Sequence, residues 1–273
     1  MHGCEKTRSG MTKRYAVLGS PIAHSKSLVI HRAVFEARGE DASYEAIEVS
    51  SDLGAFLAAQ PADYCGFSVT MPLKELALNL AERADSLAIA TGAANTLIRS
   101  QTGWDAYNTD VFGIQQALSG KKFRTVAVIG TGATARSAIV AMQELGKQVS
   151  IWGRNAAAVR QLSAEYELVS HTQFHKACES DLVISTLPPT ALDELAGSLR
   201  TAPRGLLLDV AYDPWPSKAA LVWGEERTVS GLEMLIWQAI GQQRLFAGND
   251  LDEPLAKEKE LLLAIRSALS MAK

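Results

Sequence analysis

The chain has 273 residues, 47% of them hydrophobic and 21% charged, with 27 basic against 30 acidic side chains and a net charge of −3. That length suffices for about two domains with sizeable cores, and the composition excludes disordered, collagen-like and mucin-like chains. The slight acidity argues against nucleic acid or a membrane surface held by bulk charge, because either needs a basic field.

Cys4, Cys65 and Cys178 are odd in number, far apart and without C-x-x-C spacing, so they encode neither a disulfide framework nor a zinc knuckle. A reducing cytoplasm fits them. No apolar run approaches the roughly 18 residues that span a bilayer. The residues up to Lys13 are polar, lack the apolar stretch of a secretory signal, and read as a frayed or appended tail in which Met11 is an alternative start.

From Arg14 onward short β-type runs alternate with longer helical ones, the pattern of an α/β protein with parallel sheets. Residues 15–18 form a short apolar run stopped by Gly19-Ser20-Pro21. Ser27 opens a helix whose apolar positions Val29, Ile30, Ala33, Val34 and Ala37 recur at helical spacing until Gly39. Residues 43–49 and 65–69 read as strands, with a short helix over 55–59 between them. Pro72 suits the first turn of a helix, and Leu73, Leu76, Ala77, Leu80, Ala84 and Leu87 then carry the apolar face of about four turns. Residues 92–110 read as loop, strand over 96–99, and loop, with Gly103-Trp104 as a turn.

At Thr125 a second α/β unit begins. Residues 125–129 are continuously apolar and lead directly into Gly130-Thr131-Gly132-Ala133-Thr134-Ala135 and a helix through Leu145; further strands follow at 149–152, 182–185 and 206–211. An amphipathic helix over 255–269 ends the chain and is placed to pack back on the first domain. There is no internal repeat.

Gly130, Gly132 and Ala135 give the G-x-G-x-x-A form of a dinucleotide turn, lying between a buried strand and a helix. The first glycine makes the tight turn, the second lets a pyrophosphate approach the backbone at the helix N-terminus, and the small third residue lets helix and strand pack closely. The alternative is an ordinary strand-to-helix turn. An acidic residue at the end of the next strand would hold a free ribose hydroxyl, but that place reads Trp152-Gly153-Arg154-Asn155. Arg154 there is either a 2′-phosphate partner, which favours NADP over NAD, or an exposed strand-end arginine.

Lys74 falls in the first turn of its helix, where the positive end of the dipole disfavours an ammonium; it is either a proton-transfer group or a tolerated solvated lysine. Ser25-Lys26-Ser27 opens the first long helix and either binds a carboxylate or phosphate or simply caps the helix. Asn95-Thr96 and Asn108-Thr109-Asp110 add polar groups beside apolar stretches, each taken singly a turn or cap residue. His171 and His175 have the spacing of a helical metal pair but no acidic partner nearby, so no metal site is expected. His24 and His31 flank the serines as packing or capping residues.

Taken together these stretches resemble the shikimate dehydrogenase family, from about Tyr15 to the last helix. Gly19-Ser20-Pro21-Ile22-Ala23-His24-Ser25-Lys26-Ser27 resembles the family's substrate loop, and Gly66-Phe67-Ser68-Val69-Thr70-Met71-Pro72-Leu73-Lys74 its strand-to-helix motif ending in the catalytic lysine. Gly92-Ala93-Ala94-Asn95-Thr96 and Asn108-Thr109-Asp110 are similar to the segments that supply a substrate-binding asparagine and the catalytic aspartate. In the second half, Asp209-Val210-Ala211-Tyr212 and Gly231-Leu232-Glu233-Met234-Leu235-Ile236-Trp237-Gln238-Ala239 match two further motifs, and Tyr212-Asp213-Pro214-Trp215-Pro216 looks most like actinobacterial members. Departures include Leu28 for a proline, Ser68 for an asparagine, Ala133 for a glycine and Asn155 for a threonine.

The resemblance implies an N-terminal α/β substrate domain, residues 1–110 with 239–273, and a Rossmann-like nucleotide domain over 111–238. It implies reversible hydride transfer between NADPH and 3-dehydroshikimate, with Lys74 and Asp110 catalytic. Ser25, Ser27, Thr70, Asn95, Tyr212 and Gln238 would bind substrate. Gly130, Gly132, Ala133, Ala135, Arg154, Thr186, Gly231 and Met234 would bind the cofactor. A monomer or homodimer is expected, located in the cytoplasm. Quinate or aminoshikimate dehydrogenases of the same family are the near rivals, and Ser27 and Arg154 favour shikimate with NADP. A non-catalytic NADP-binding regulator would have lost Lys74 or Asp110, and both are present.

Overall fold

The computed structural model describes residues 12–23 and 25–272; Cys4, Met11 and His24 therefore lie outside the described residues. Two compact units divide the chain: Met1–Thr109 with Gln238–Lys273, and Asp110–Trp237.

In the first unit the elements run β1 (Lys13–Gly19), α1 (Ser27–Arg38), β2 (Ala42–Glu48), α2 (Leu53–Ala58), β3 (Tyr64–Val69), α3 (Lys74–Leu80), β4 (Arg83–Ala84), α4 (Ser86–Thr91), β5 (Thr96–Arg99) and β6 (Trp104–Tyr107). They build a six-stranded sheet in the order β2-β1-β3-β5-β6-β4. β1 runs parallel to β2 and β3, whereas β5 is antiparallel to both β3 and β6. The apolar character of β1 and β3 follows from cover on both faces. Leu53, Phe67, Leu73 and Trp104 pack on one side, and Tyr15, Phe35, Tyr44 and Phe246 on the other. α1 stops where Gly39 takes a left-handed conformation, φ 64°.

Two expectations are corrected here. The single helix from Pro72 to Leu87 is instead α3, the short strand β4 and α4. Pro72 sits in the turn before α3, and Asp85 restarts the helix by accepting the Ala88 amide at 2.6 Å, while Arg83 is held on β4 by a paired contact with Asp105 at 2.6 and 3.1 Å. Trp104 is no turn residue but the first residue of β6, paired with Arg99.

The second unit runs α5 (Asp110–Ala117), β7 (Thr125–Ile129), α6 (Ala133–Glu144), β8 (Gln148–Trp152), α7 (Ala156–Glu165), β9 (Val169–Ser170), α8 (Phe174–Ala177), β10 (Leu182–Ser185), α9 (Pro189–Gly197), β11 (Leu206–Asp209), α10 (Lys218–Trp223) and β12 (Thr228–Ser230). Its six strands are all parallel, in the order β12-β11-β10-β7-β8-β9. Counted from β7, this is the doubly wound order of dinucleotide-binding sheets, reversing direction between β7 and β10. The strand expected over 206–211 ends at Asp209. His171 and His175 do not share a helix, because His171 lies before α8 and bonds Ser150 at 2.9 Å.

α11 (Gly231–Phe246) carries the chain from the second unit back to the first, and the final helix α12 (Glu258–Met271) packs on α1. No helix among the described residues is long and apolar enough to cross a membrane.

Candidate active site

In the first unit three loops converge at the carboxyl ends of β1 and β3. The Thr70 amide donates to the Leu18 carbonyl at 2.8 Å, the Ser20 amide to Met71 at 3.0 Å, and the Ala94 amide to the carbonyl of Lys74 at 2.9 Å. Gly19 is required at this junction, since a Cβ there would collide with the Thr70 side chain. Lys74 is the first residue of α3, as its position in the sequence suggests, and is half-buried. Ser27 opens α1 and is buried, Lys26 occupies the N-cap with no side-chain capping bond to the helix amides, and Ser25 Oγ accepts the Ser27 amide at 3.4 Å. Neither serine is therefore a conventional cap, and the α1 N-terminus keeps its capacity for an anion.

Asn95, buried at the head of β5, is the hub of this unit's polar groups. Its Oδ1 accepts the Thr109 amide at 2.8 Å and the Thr96 hydroxyl at 2.9 Å, and its Nδ2 donates to Gln238 Oε1 at 3.2 Å. Asn108 braces the same loops by donating to Thr91 Oγ1 at 2.8 Å and to the Ala93 carbonyl at 2.9 Å. Ser25, Ser27, Thr70, Lys74, Asn95 and Gln238 thus all belong to the first unit.

The remaining predicted residues belong to the second unit. Most follow the carboxyl ends of its parallel strands, where such sheets bind ligands. Gly130, with φ 125°, leaves no room for a side chain, because a Cβ would meet Thr186 Oγ1. Thr186 itself donates its hydroxyl to the Ile129 carbonyl at 3.0 Å, linking β10 to β7 at the switch point. Gly132 differs: nothing lies within 4 Å of where its Cβ would be. It is the N-cap of α6 without a side-chain acceptor, so a phosphate approaching Gly132 meets open space and the amides of the α6 first turn, which begins at Ala133. Ala135 is fully buried against the sheet, as the third position of the motif requires.

Arg154 is exposed just beyond β8, while the adjacent Asn155 caps α7 through the Ala157 and Ala158 amides at 3.1 and 3.2 Å. Tyr212 lies in the loop after β11, half-buried, its pKa raised by burial. Gly231 begins α11 so close to β11 that a Cβ would strike the Val210 carbonyl, and Met234 is buried one turn later. Asp110, buried, is the first residue of α5.

Several buried polar residues behind Asn95 escaped sequence reasoning: Tyr44, Ser68, Gln242 and Gln243, together with His31 in a bonded role. The available signal was the spacing of Gln238 and Gln242, one turn apart with only apolar residues between them, because buried amides must find partners.

The second unit is thus a doubly wound sheet with an open glycine turn at a helix N-terminus, and the first an α/β unit with a helix-start lysine and a buried amide cluster. Residues 17–97 match the family model of the shikimate dehydrogenase substrate binding domain, and residues 125–212 that of the coenzyme F420-dependent NADP oxidoreductases. A relative from Synechococcus sp., named shikimate dehydrogenase (NADP(+)), is 33% identical over 264 residues, covering 89% of this chain and 91% of its own. The crystal structure of Mycobacterium tuberculosis shikimate dehydrogenase superposes with a TM-score of 0.83 at 34% identity, over 93% of this chain and 99% of that one. That of the Thermus thermophilus enzyme in complex with NADP(H) and shikimate gives 0.78 at 29% identity, over 94% and 99%. The chain belongs to the shikimate dehydrogenase family.

Proposed function

We propose that this protein is an NADP-dependent shikimate dehydrogenase, which reversibly reduces 3-dehydroshikimate to shikimate in aromatic amino-acid biosynthesis. The observation that carries the reading is Lys74 at the head of α3, its carbonyl bonded to the Ala94 amide beside Asn95, in a chain that matches such an enzyme over 89% of its length.

NADPH supplies the hydride when bound. Reduction of the ring ketone creates an alkoxide that needs a proton, and Lys74 delivers it and stabilises the developing charge. Asp110 hydrogen-bonds the same hydroxyl and orients it. Ser25 and Ser27 hold the carboxylate at the start of α1. Thr70, Asn95, Tyr212 and Gln238 hold the remaining ring oxygens, setting the distance for hydride transfer.

For the cofactor, Gly130, Gly132 and Ala133 would receive the pyrophosphate, buried Ala135 letting α6 lie close to the sheet beneath it, and Arg154 would hold the 2′-phosphate, with Thr186, Gly231 and Met234 along the remainder. In this reading residues 1–110 and 239–273 serve the substrate and 111–238 the nucleotide, apart from the substrate contacts of Tyr212 and Gln238. The enzyme works on small molecules in the cytoplasm as a monomer or homodimer. Initial rates of NADPH formation with shikimate, quinate and aminoshikimate, repeated with NAD+, test the reading. Highest kcat/KM with shikimate and NADP+ is expected, and preference for either other substrate or for NAD+ would reassign the enzyme within its family.

A further inference from the structure

Two backbone groups dictate the polarity of the hydrogen bonds around Asn95. The Thr109 amide can only donate, so the Asn95 side-chain atom 2.8 Å away is Oδ1. The other side-chain atom is therefore Nδ2, which donates to Gln238 Oε1 at 3.2 Å and to Thr109 Oγ1 at 2.9 Å, the Thr109 hydroxyl lying between the two amide atoms, 3.2 Å from Oδ1. The Asn95 carbonyl can only accept, so the Gln242 atom 2.9 Å from it is Nε2, which also donates to Thr96 Oγ1 at 3.1 Å. Because Asn95 Oδ1 can only accept, the Thr96 hydroxyl gives its hydrogen to it at 2.9 Å.

The far end of Gln242 is held in the same manner. Its Oε1 accepts from Ser68 Oγ at 2.9 Å and from His31 Nε2 at 3.0 Å, so the His31 hydrogen is on Nε2. His31 Nδ1 then accepts from Gln243 Nε2 at 2.9 Å, which requires a neutral ring, and burial indeed pushes the His31 pKa down to about 3. Tyr44 donates to Ser68 at 2.6 Å and stacks on His31 with ring centroids 4.3 Å apart. All members of this relay are buried, so reversing the amide of Asn95 or Gln242 would set donor against donor and acceptor against acceptor where water cannot compensate.

We infer that Thr96 and Gln242 are positioning residues for Asn95, holding its amide so that Nδ2, whose hydrogens here meet Thr109 Oγ1 and Gln238 Oε1, rather than Oδ1 is the atom a substrate oxygen reaches, by taking the place of Gln238 Oε1. The inference rests on the proposed role of Asn95 as a substrate contact. Its chemical content is that the substrate group meeting Asn95 must carry a lone pair: a hydroxyl or carboxylate oxygen is accepted, and an ammonium is not.

Thr96→Val keeps the side-chain shape but removes both relay bonds, whereas Thr96→Ser keeps the hydroxyl. Steady-state kinetics and thermal melting of both variants test the inference. Thr96→Val should raise the shikimate KM about tenfold, with kcat and the NADP+ KM within about twofold of wild type, and Thr96→Ser should recover most of the loss. If Thr96→Val melts below the assay temperature, Gln242→Met should show the same split. An unchanged shikimate KM in a folded variant, an equal rise for both substrates, or no recovery in Thr96→Ser overturns the inference. A wild-type protein that oxidises no shikimate overturns the proposed function instead, and the inference falls with it.

Discussion

Ser217 donates its hydroxyl to Asp209 at 2.9 Å, while the other carboxylate oxygen accepts the Ala211 amide at 3.2 Å. The pair fastens the N-cap of α10 to the end of β11 and closes the loop that carries Tyr212. Burial pushes the Asp209 carboxyl up to about 6, outweighing both hydrogen bonds, and Asp193 adds to the rise. Because the folded pKa lies above the unfolded value of about 4, this group's stabilising contribution is present below about pH 4 and lost as pH rises through about 6. Asp209→Asn removes the titration. Melting curves from about pH 4.5 to about 7.5 should therefore show the variant gaining on wild type as pH rises, by on the order of 2 kcal/mol. A difference independent of pH would contradict the assignment.

The two glycines of the nucleotide turn should respond oppositely. Gly130→Ala combines a positive φ with a collision at Thr186, so it should destabilise the protein by about 1–3 kcal/mol. Gly132→Ala enters open space and should leave the melting temperature of the unliganded protein unchanged while raising the NADP+ KM. Differential scanning calorimetry and initial rates on the two variants check this.

Arg154→Ala should raise the NADP+ KM by about 10- to 100-fold through loss of a charge-assisted bond to the 2′-phosphate, with little change for NAD+. Equal weakening toward both cofactors would make the exposed arginine a bystander.

Ser27→Ala should raise the shikimate KM by roughly 10-fold or more, with a smaller effect on turnover. Quinate carries an extra hydroxyl on its carboxylate-bearing carbon, so the smaller side chain should also raise the quinate-to-shikimate ratio of kcat/KM. A variant with lower stability and unchanged constants for both substrates would reduce Ser27 to a helix residue.

Buried parallel strands were legible because cover on both faces makes them almost continuously apolar, as in residues 125–129. The nucleotide turn was legible because its glycines answer local backbone demands. The segment after Pro72 was misread because Leu73 to Leu87 keep helical spacing across a break imposed by the pairing of β4 with β6, a contact between distant residues. β6 itself was hidden by Asp105, whose partner Arg83 lies 22 positions away. The relay behind Asn95 joins His31 to Gln242 across 211 positions, and no window along the chain contains both.

The central claim, that this chain oxidises shikimate with Lys74 as the proton-transfer group, is tested most directly by the turnover of Lys74→Ala measured beside its shikimate affinity. The account expects kcat to fall by about two to four powers of ten while the shikimate Kd stays within about tenfold, because a proton donor acts mainly in the transition state. A correctly folded Lys74→Ala variant with near wild-type turnover would contradict it.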